Sequence, residues 1–209
     1  MEIKRFIFDL DGTLLTGDFS KEKAYFEDVY KDESSKLIGK IGDFLNVYEN
    51  THPRYDVDVL SEYLTMVSGL RFTPSIIRGW IEVMKDPNDR LEEGVIDTLE
   101  YLKSSDKSLA VLTNWFGDTQ VARLKSNGIY EYFDSIYTGD TVLKPHKAAY
   151  LSARGLFMPE ECVVIGDHVD RDYIGPRACG MESVLYDPYD KSHKSIVKVK
   201  RIDELKKRY

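Results

Sequence analysis

Cysteine is nearly absent: the 209-residue chain has two, Cys162 and Cys179. Neither belongs to a C-x-x-C pair or a zinc-ligand pattern, which excludes a disulfide framework or a structural zinc as the organising device. Both are read as reduced, partly buried thiols. No apolar run is long enough for a membrane span. The N-terminus also lacks the basic stretch and long apolar segment of a secretory signal. These absences lead to the expectation of a cytoplasmic protein. Positive charge is in deficit, with 29 Lys and Arg against 36 Asp and Glu. A formal net charge of −7 argues against general affinity for nucleic acid or an anionic membrane. A small phosphate ester stays compatible, because one local divalent cation and one lysine outweigh a distant negative surface. The basic stretch 198–207 is interrupted by Asp203 and Glu204 and reads as a solvated end. Internal repeats and low-complexity segments are missing as well.

What is present is an alternation. Apolar, β-favouring runs occur at 3–8, 109–112 and 163–165, with shorter ones at 135–137 and 183–186. Between them, 93–103, 118–126 and 146–154 carry helical spacing, the second placing Val121, Ala122 and Leu124 on its apolar side. Strands alternating with helices imply crossover connections and a parallel sheet. The segment from about 17 to 88 breaks the rhythm. It has no strong strand signal and reads as amphipathic helices at 36–50, 57–67 and 74–84. Thr73 is a candidate N-cap for the last of these, followed by Pro74. The chain is long enough for one core plus such an insert.

Four short segments carry chemistry, three of them at strand ends. The first run ends in Asp9-Leu10-Asp11-Gly12. Aspartates two residues apart project the same way from an extended chain, and they repel unless a cation lies between them. Mg²⁺ suits that role, being hard and oxygen-seeking. By itself the motif is equally a strand end with a polar turn. After the second run stand Thr113 and Asn114, whose hydroxyl and backbone N–H can hold a phosphate oxygen. Lys144 precedes Pro145, which keeps it out of helix and on a loop. The run 163–165 ends in Gly166-Asp167, with Asp170 and Asp172 close behind.

Taken in order, FDLDGT, LTN, KP and IGDHVDRD resemble the four signature motifs of the haloacid dehalogenase superfamily. The resemblance covers about two thirds of the chain, and the helical insert resembles the cap that many members carry after the first motif. It implies an α/β fold: a Rossmann-like three-layer core with a parallel sheet (1–16 and 89–209) and an α-helical cap domain (17–88). It also implies a Mg²⁺-dependent phosphatase acting on a small phosphate monoester, a small phosphorylated metabolite. Asp9 would be the nucleophile and a metal ligand. Asp11 would be the acid and base, with its carbonyl on Mg²⁺. Thr113, Asn114 and Lys144 would hold the phosphoryl group. Asp167 would ligate Mg²⁺ directly, and Asp172 would act through water or by orienting Lys144, with Asp170 the alternative for that role. An acid at Asp11 together with Asp167 favours phosphate chemistry over carbon–halogen cleavage. Two other readings stay open: a phosphomutase acting on a sugar phosphate, and a non-catalytic phospho-aspartate switch.

Three positions depart from the family pattern: His168, Trp115 and Pro176. His168 is read as a polar residue behind the site and Trp115 as packing against the cap. The insert offers Arg54, Arg71, Arg78 and Trp80 as possible substrate contacts. A monomer is the default expectation.

Overall fold

The structure is a computed structural model and describes residues 2–209. Its centre is a six-stranded, all-parallel sheet. The strands are β1 (Arg5–Phe8), β4 (Ser108–Leu112), β5 (Ser135–Tyr137), β6 (Cys162–Gly166), β7 (Glu182–Tyr186) and β8 (Lys198–Val199). Their order is β5-β4-β1-β6-β7-β8. Two further strands, β2 (Leu15–Thr16) and β3 (Arg90–Leu91), form a separate antiparallel ribbon.

Alternation along each strand divides the sheet's two faces. Phe6 and Phe8 turn to one side with Leu109, Val111, Val163 and Ile165. Helix α6 (Val95–Ser104) packs there through Val95, Leu99 and Leu102. Ile7 turns to the other side with Ala110, Leu112 and Val164, against Ala149, Tyr150 and Ala153 of α8 (Lys147–Arg154). A sheet covered on both faces gives continuous apolar strands, as the sequence implied. Arg5 is the exception inside β1. It is buried, and its guanidinium donates to Ala153 O at 2.7 Å, Ser108 Oγ at 2.7 Å and Ser135 Oγ at 2.6 Å.

Between β2 and β3 the chain builds a body of helices: α1 (Ser20–Tyr30), α2 (Ser34–Ile38), α3 (Ile41–Thr51), α4 (Val57–Ser68) and α5 (Pro74–Val83). Asp56 caps α4 by accepting from Asp58 N and Val59 N, and Gly69 in the left-handed region ends it. Thr73 caps α5 by accepting from Ile76 N. The stretch 36–50 is not one helix; it breaks at Gly39-Lys40, between α2 and α3. The apolar period runs on through the break, which is why sequence spacing does not reveal it. These helices share a core of their own, including Phe26, Tyr48, Leu60, Leu64, Phe72 and Trp80. That core also takes in Trp115, Phe116 and Leu143 from the sheet-forming part of the chain.

Cys162 is buried and Cys179 half-buried, and both are free thiols. Among the described residues, no helix is long and apolar enough to cross a membrane.

Candidate active site

The strand order reverses at β1: β4 and β5 lie to one side, β6 to β8 to the other. Open α/β sheets bind ligands at the carboxyl ends of strands beside such a switch point. Here that crevice is roofed by the helical body and forms a cavity of about 310 Å³. Asp9, Asp11, Thr113, Asn114, Lys144, Asp167 and Asp172 all line it, so the structure brings the seven sequence-predicted residues together.

Asp9 follows β1 directly, and its N–H donates to Ile165 O at 2.8 Å. Its carboxylate is buried. Lys144 Nζ lies 2.7 Å from Asp9 Oδ1 and 2.7 Å from Asp172 Oδ1. The other Asp172 oxygen accepts the backbone N–H of His168 at 3.0 Å. The Asn114 amide grips the lysine's backbone: Oδ1 accepts Lys144 N at 2.9 Å, and Nδ2 donates to Lys144 O at 3.1 Å. Burial works against the Lys144 charge, but Asp172 and Asp9 outweigh it and hold the ammonium more firmly protonated than a free lysine.

Asp9, Asp167 and Asp172 each offer an oxygen, and these atoms lie within 4.8 Å of one another. Burial raises Asp9 well above the usual carboxylate range; Lys144 pulls it down, while Asp172 and Asp167 push it up again. Burial and then Asp172 raise Asp167 to about 6. An all-oxygen cluster in which Asp9 and Asp167 resist ionising suits a hard divalent cation, which would relieve the repulsion. Two glycines make the cluster possible. Gly12 has φ +77°, and a Cβ there would stand 2.5 Å from Asp167 Oδ2. A Cβ on Gly166 would collide with the Asp172 side chain.

Asp11 also lines the cavity but stands apart from this cluster. Its Oδ2 accepts from Gln120 Nε2 at 2.9 Å, and its Oδ1 lies 2.6 Å from Arg123 Nη2. Both partners belong to α7 (Gly117–Ser126) and are fully buried. Gln120 Nε2 also donates to Thr113 Oγ1 at 2.8 Å and Asn114 O at 3.0 Å. Arg123 makes a second, bidentate pair with Asp89, at 2.8 Å for each bond. Burial lowers the guanidinium's affinity for its proton; Asp89 and Asp11 more than restore it.

Gln120, Arg123 and Asp89 are residues that sequence reasoning missed. The buried face of α7 is Thr119, Gln120, Arg123 and Leu124, while Val121 and Ala122 are only half-buried. Gln120 and Arg123 do share a helical stripe with Leu124, and that spacing was the available signal.

The other candidates divide. Trp115 packs in the core of the helical body, 4.5 Å from Trp80 and 5.2 Å from Tyr55 between ring centroids. His168 lines the cavity, and burial, then Arg171, lowers its proton affinity. Asp170 does not join the acidic cluster. Pro176 sits in the first turn of a short helix, Gly175–Arg177, where its missing N–H is harmless. Trp80 lines the cavity, whereas Arg54, Arg71 and Arg78 are exposed and stay outside it. The arginines that do line it are Arg123 and Arg171. Arg171 reaches the helical body, with Nη1 2.6 Å from Glu49 Oε2 and Nη2 donating to Asn46 Oδ1 at 2.6 Å.

The family model described as haloacid dehalogenase-like hydrolase matches residues 6–186. Ribulose-1,5-bisphosphate 5-phosphatase of Halopiger xanaduensis is 31% identical over 100 residues, 46% of this chain and 42% of that protein. Pyrophosphatase PpaX of Halalkalibacterium halodurans is 27% identical over 201 residues, 88% of this chain and 84% of that protein. Among solved structures, the putative hydrolase YfnB of Bacillus subtilis, bound to magnesium, superposes with a TM-score of 0.71. The identity there is 21%, with 98% of this chain and 97% of that one covered.

Proposed function

Because the chain belongs to the haloacid dehalogenase-like hydrolases, we propose that it is a phosphatase that hydrolyses a small phosphate monoester through an aspartyl phosphate. The observation that carries this reading is the Lys144 ammonium, 2.7 Å from both Asp9 and Asp172 and next to Asp167. A carboxylate attacking a phosphate must overcome the approach of two anions. A buried lysine fixed beside the attacking oxygen lowers that barrier, and it is already oriented before substrate arrives. The phosphatase names of the relatives support the same reaction class.

In this reading Asp9 attacks phosphorus as the alcohol leaves. Asp11 gives its proton to the departing oxygen and then takes one from the attacking water. The Thr113 hydroxyl and the Asn114 N–H hold phosphoryl oxygens, and Asp172 keeps Lys144 aimed. Asp9, Asp167 and the Asp11 carbonyl would hold Mg²⁺, with Asp172 beside them. That ion, when bound, supplies positive charge against the phosphoryl oxygens.

The test is release of inorganic phosphate from p-nitrophenyl phosphate with Mg²⁺ and without any bisphosphate activator. Asp9→Asn is expected to lose at least about 10³-fold in kcat, as when a nucleophile is removed. Full activity in that variant, or in metal-stripped protein, would refute the mechanism. Transfer to a second sugar oxygen without phosphate release would point instead to a mutase.

A further inference from the structure

The charges around the cavity say something about the half of the substrate that is not phosphate. Three cations line it, and each is already engaged: Lys144 with Asp9 and Asp172, Arg123 with Asp11 and Asp89, Arg171 with Glu49. The transferring phosphoryl group would occupy Lys144 as well. The helical body contributes no further lysine or arginine to the lining. It contributes two carboxylates, Glu22 and Glu49. Glu49 is compensated by Arg171. Glu22 makes no ion pair among the described residues; its one partner is the Trp80 indole, Nε1 donating to Oε1 at 2.8 Å. Burial, and then the charge of Asp11, already push Glu22 above the ordinary glutamate range. Another anion brought to the same wall would meet the same resistance.

The remaining wall is apolar and aromatic, with Trp80, Trp115 and Leu45 among its members. Two buried donors on lining residues, Trp115 Nε1 and Arg171 Nε, have no partner. Being buried, these two groups set no preference between neutral and anionic acceptors, so the charge of the wall decides it.

We propose that the substrate is a phosphate monoester of an uncharged or cationic alcohol with an apolar face, and that Glu22 discriminates against esters carrying a second acidic group. This deepens the phosphatase reading and rests on it. It sets the chain apart from its named relatives, since ribulose bisphosphate and pyrophosphate each carry a second phosphate.

A matched pair tests the idea: 4-carbamoylphenyl phosphate and 4-carboxyphenyl phosphate, nearly equal in shape and different by one negative charge. The wild-type protein with Mg²⁺ is expected to favour the amide by at least tenfold in kcat/KM. Glu22→Gln, which keeps an acceptor for Trp80, should shrink that ratio at least threefold. The wild-type ratio stands without any variant, should Glu22→Gln fold poorly. Equal rates, or preference for the carboxylate, would overturn the substrate class while leaving the phosphatase reading intact. An unchanged ratio in Glu22→Gln would overturn the role of Glu22. No phosphate from either ester, nor from p-nitrophenyl phosphate, would overturn both readings together.

Discussion

Two buried cations flank the end of β1, and they are built alike but placed to different ends. Lys144 lies between Asp9 and Asp172; Arg123 lies between Asp11 and Asp89. Each joins one aspartate of the first motif to a carboxylate from a distant part of the chain. The lysine is a compact charge on a flexible stem, and it comes from a loop. The arginine is a planar fork on a helix, bidentate to Asp89 just before β3. The first arrangement leaves a point charge facing the cavity. The second fixes a segment of chain and steadies Asp11 from behind. In the proposed mechanism the same charge pattern serves chemistry where the cation is small and loop-borne, and architecture where it is flat and helix-borne.

Removing each cation in turn separates the two. Lys144→Met is expected to lower kcat/KM on p-nitrophenyl phosphate by at least about 10²–10³-fold, the range for losing a fixed electrostatic stabiliser. Lys144→Arg should not restore it, because a planar fork cannot occupy the place of an ammonium. Arg123→Met leaves Asp11 and Asp89 without their shared cation. Its main effect should be on stability, a loss of about 3–5 kcal/mol in urea unfolding. If Arg123→Met instead left the midpoint unchanged while abolishing turnover, the contrast would collapse.

The acidic cluster gives a smaller, sharper readout. Asp167→Asn relieves repulsion with Asp9 and Asp172, so the metal-free variant should melt above the metal-free wild type. Millimolar Mg²⁺ should raise the wild-type Tm by several degrees through mass action and leave the variant unmoved. Equal Mg²⁺ shifts in both proteins would count against an ion at this cluster.

The smallest effect is expected at a carboxylate that does not line the cavity. Asp187 accepts from Ser192 Oγ at 2.6 Å, Ser192 N at 2.8 Å and Lys191 N at 2.9 Å. Burial opposes its charge, but the Ser192 hydroxyl, these N–H groups and Lys198 hold it well below the usual carboxylate range. A carboxyl lowered on folding stabilises the protein at neutral pH. That contribution fades as pH falls below the unfolded value near 4. Asp187→Asn should therefore lose about 1 kcal/mol at pH 7, with the gap narrowing below pH 4. A gap constant with pH would show that packing, not charge, is what the residue contributes.

The strand ends were legible because an apolar run that stops at an acidic residue is a local signal. β5 runs over the expected residues, and α4 and α5 end within a residue of expectation. What the sequence hid is of three kinds. The ribbon of β2 and β3 is too short to show a period. The break at Gly39 lies inside an unbroken apolar stripe. Gln120 and Arg123 are polar side chains pointing inward, and a polar residue in a helix is assigned to solvent unless its partners are known. The motif residues betrayed the reacting side of the site, but nothing local betrayed the groups that prop it from behind.

The ribbon has a wider meaning. Leu15 pairs with Leu91 and Thr16 with Arg90, and Glu92 N donates to Leu14 O at 3.0 Å. The peptide therefore departs for the helices and comes home from them through adjoining doors. A lodger attached that way can be exchanged without prising the sheet apart: any replacement whose two ends meet would fit the doorway, provided it also covers Trp115, Phe116 and Leu143, which share the present lodger's core. In the proposed reading, selectivity and reactivity would then reside in different pieces of one polypeptide, free to change at different paces.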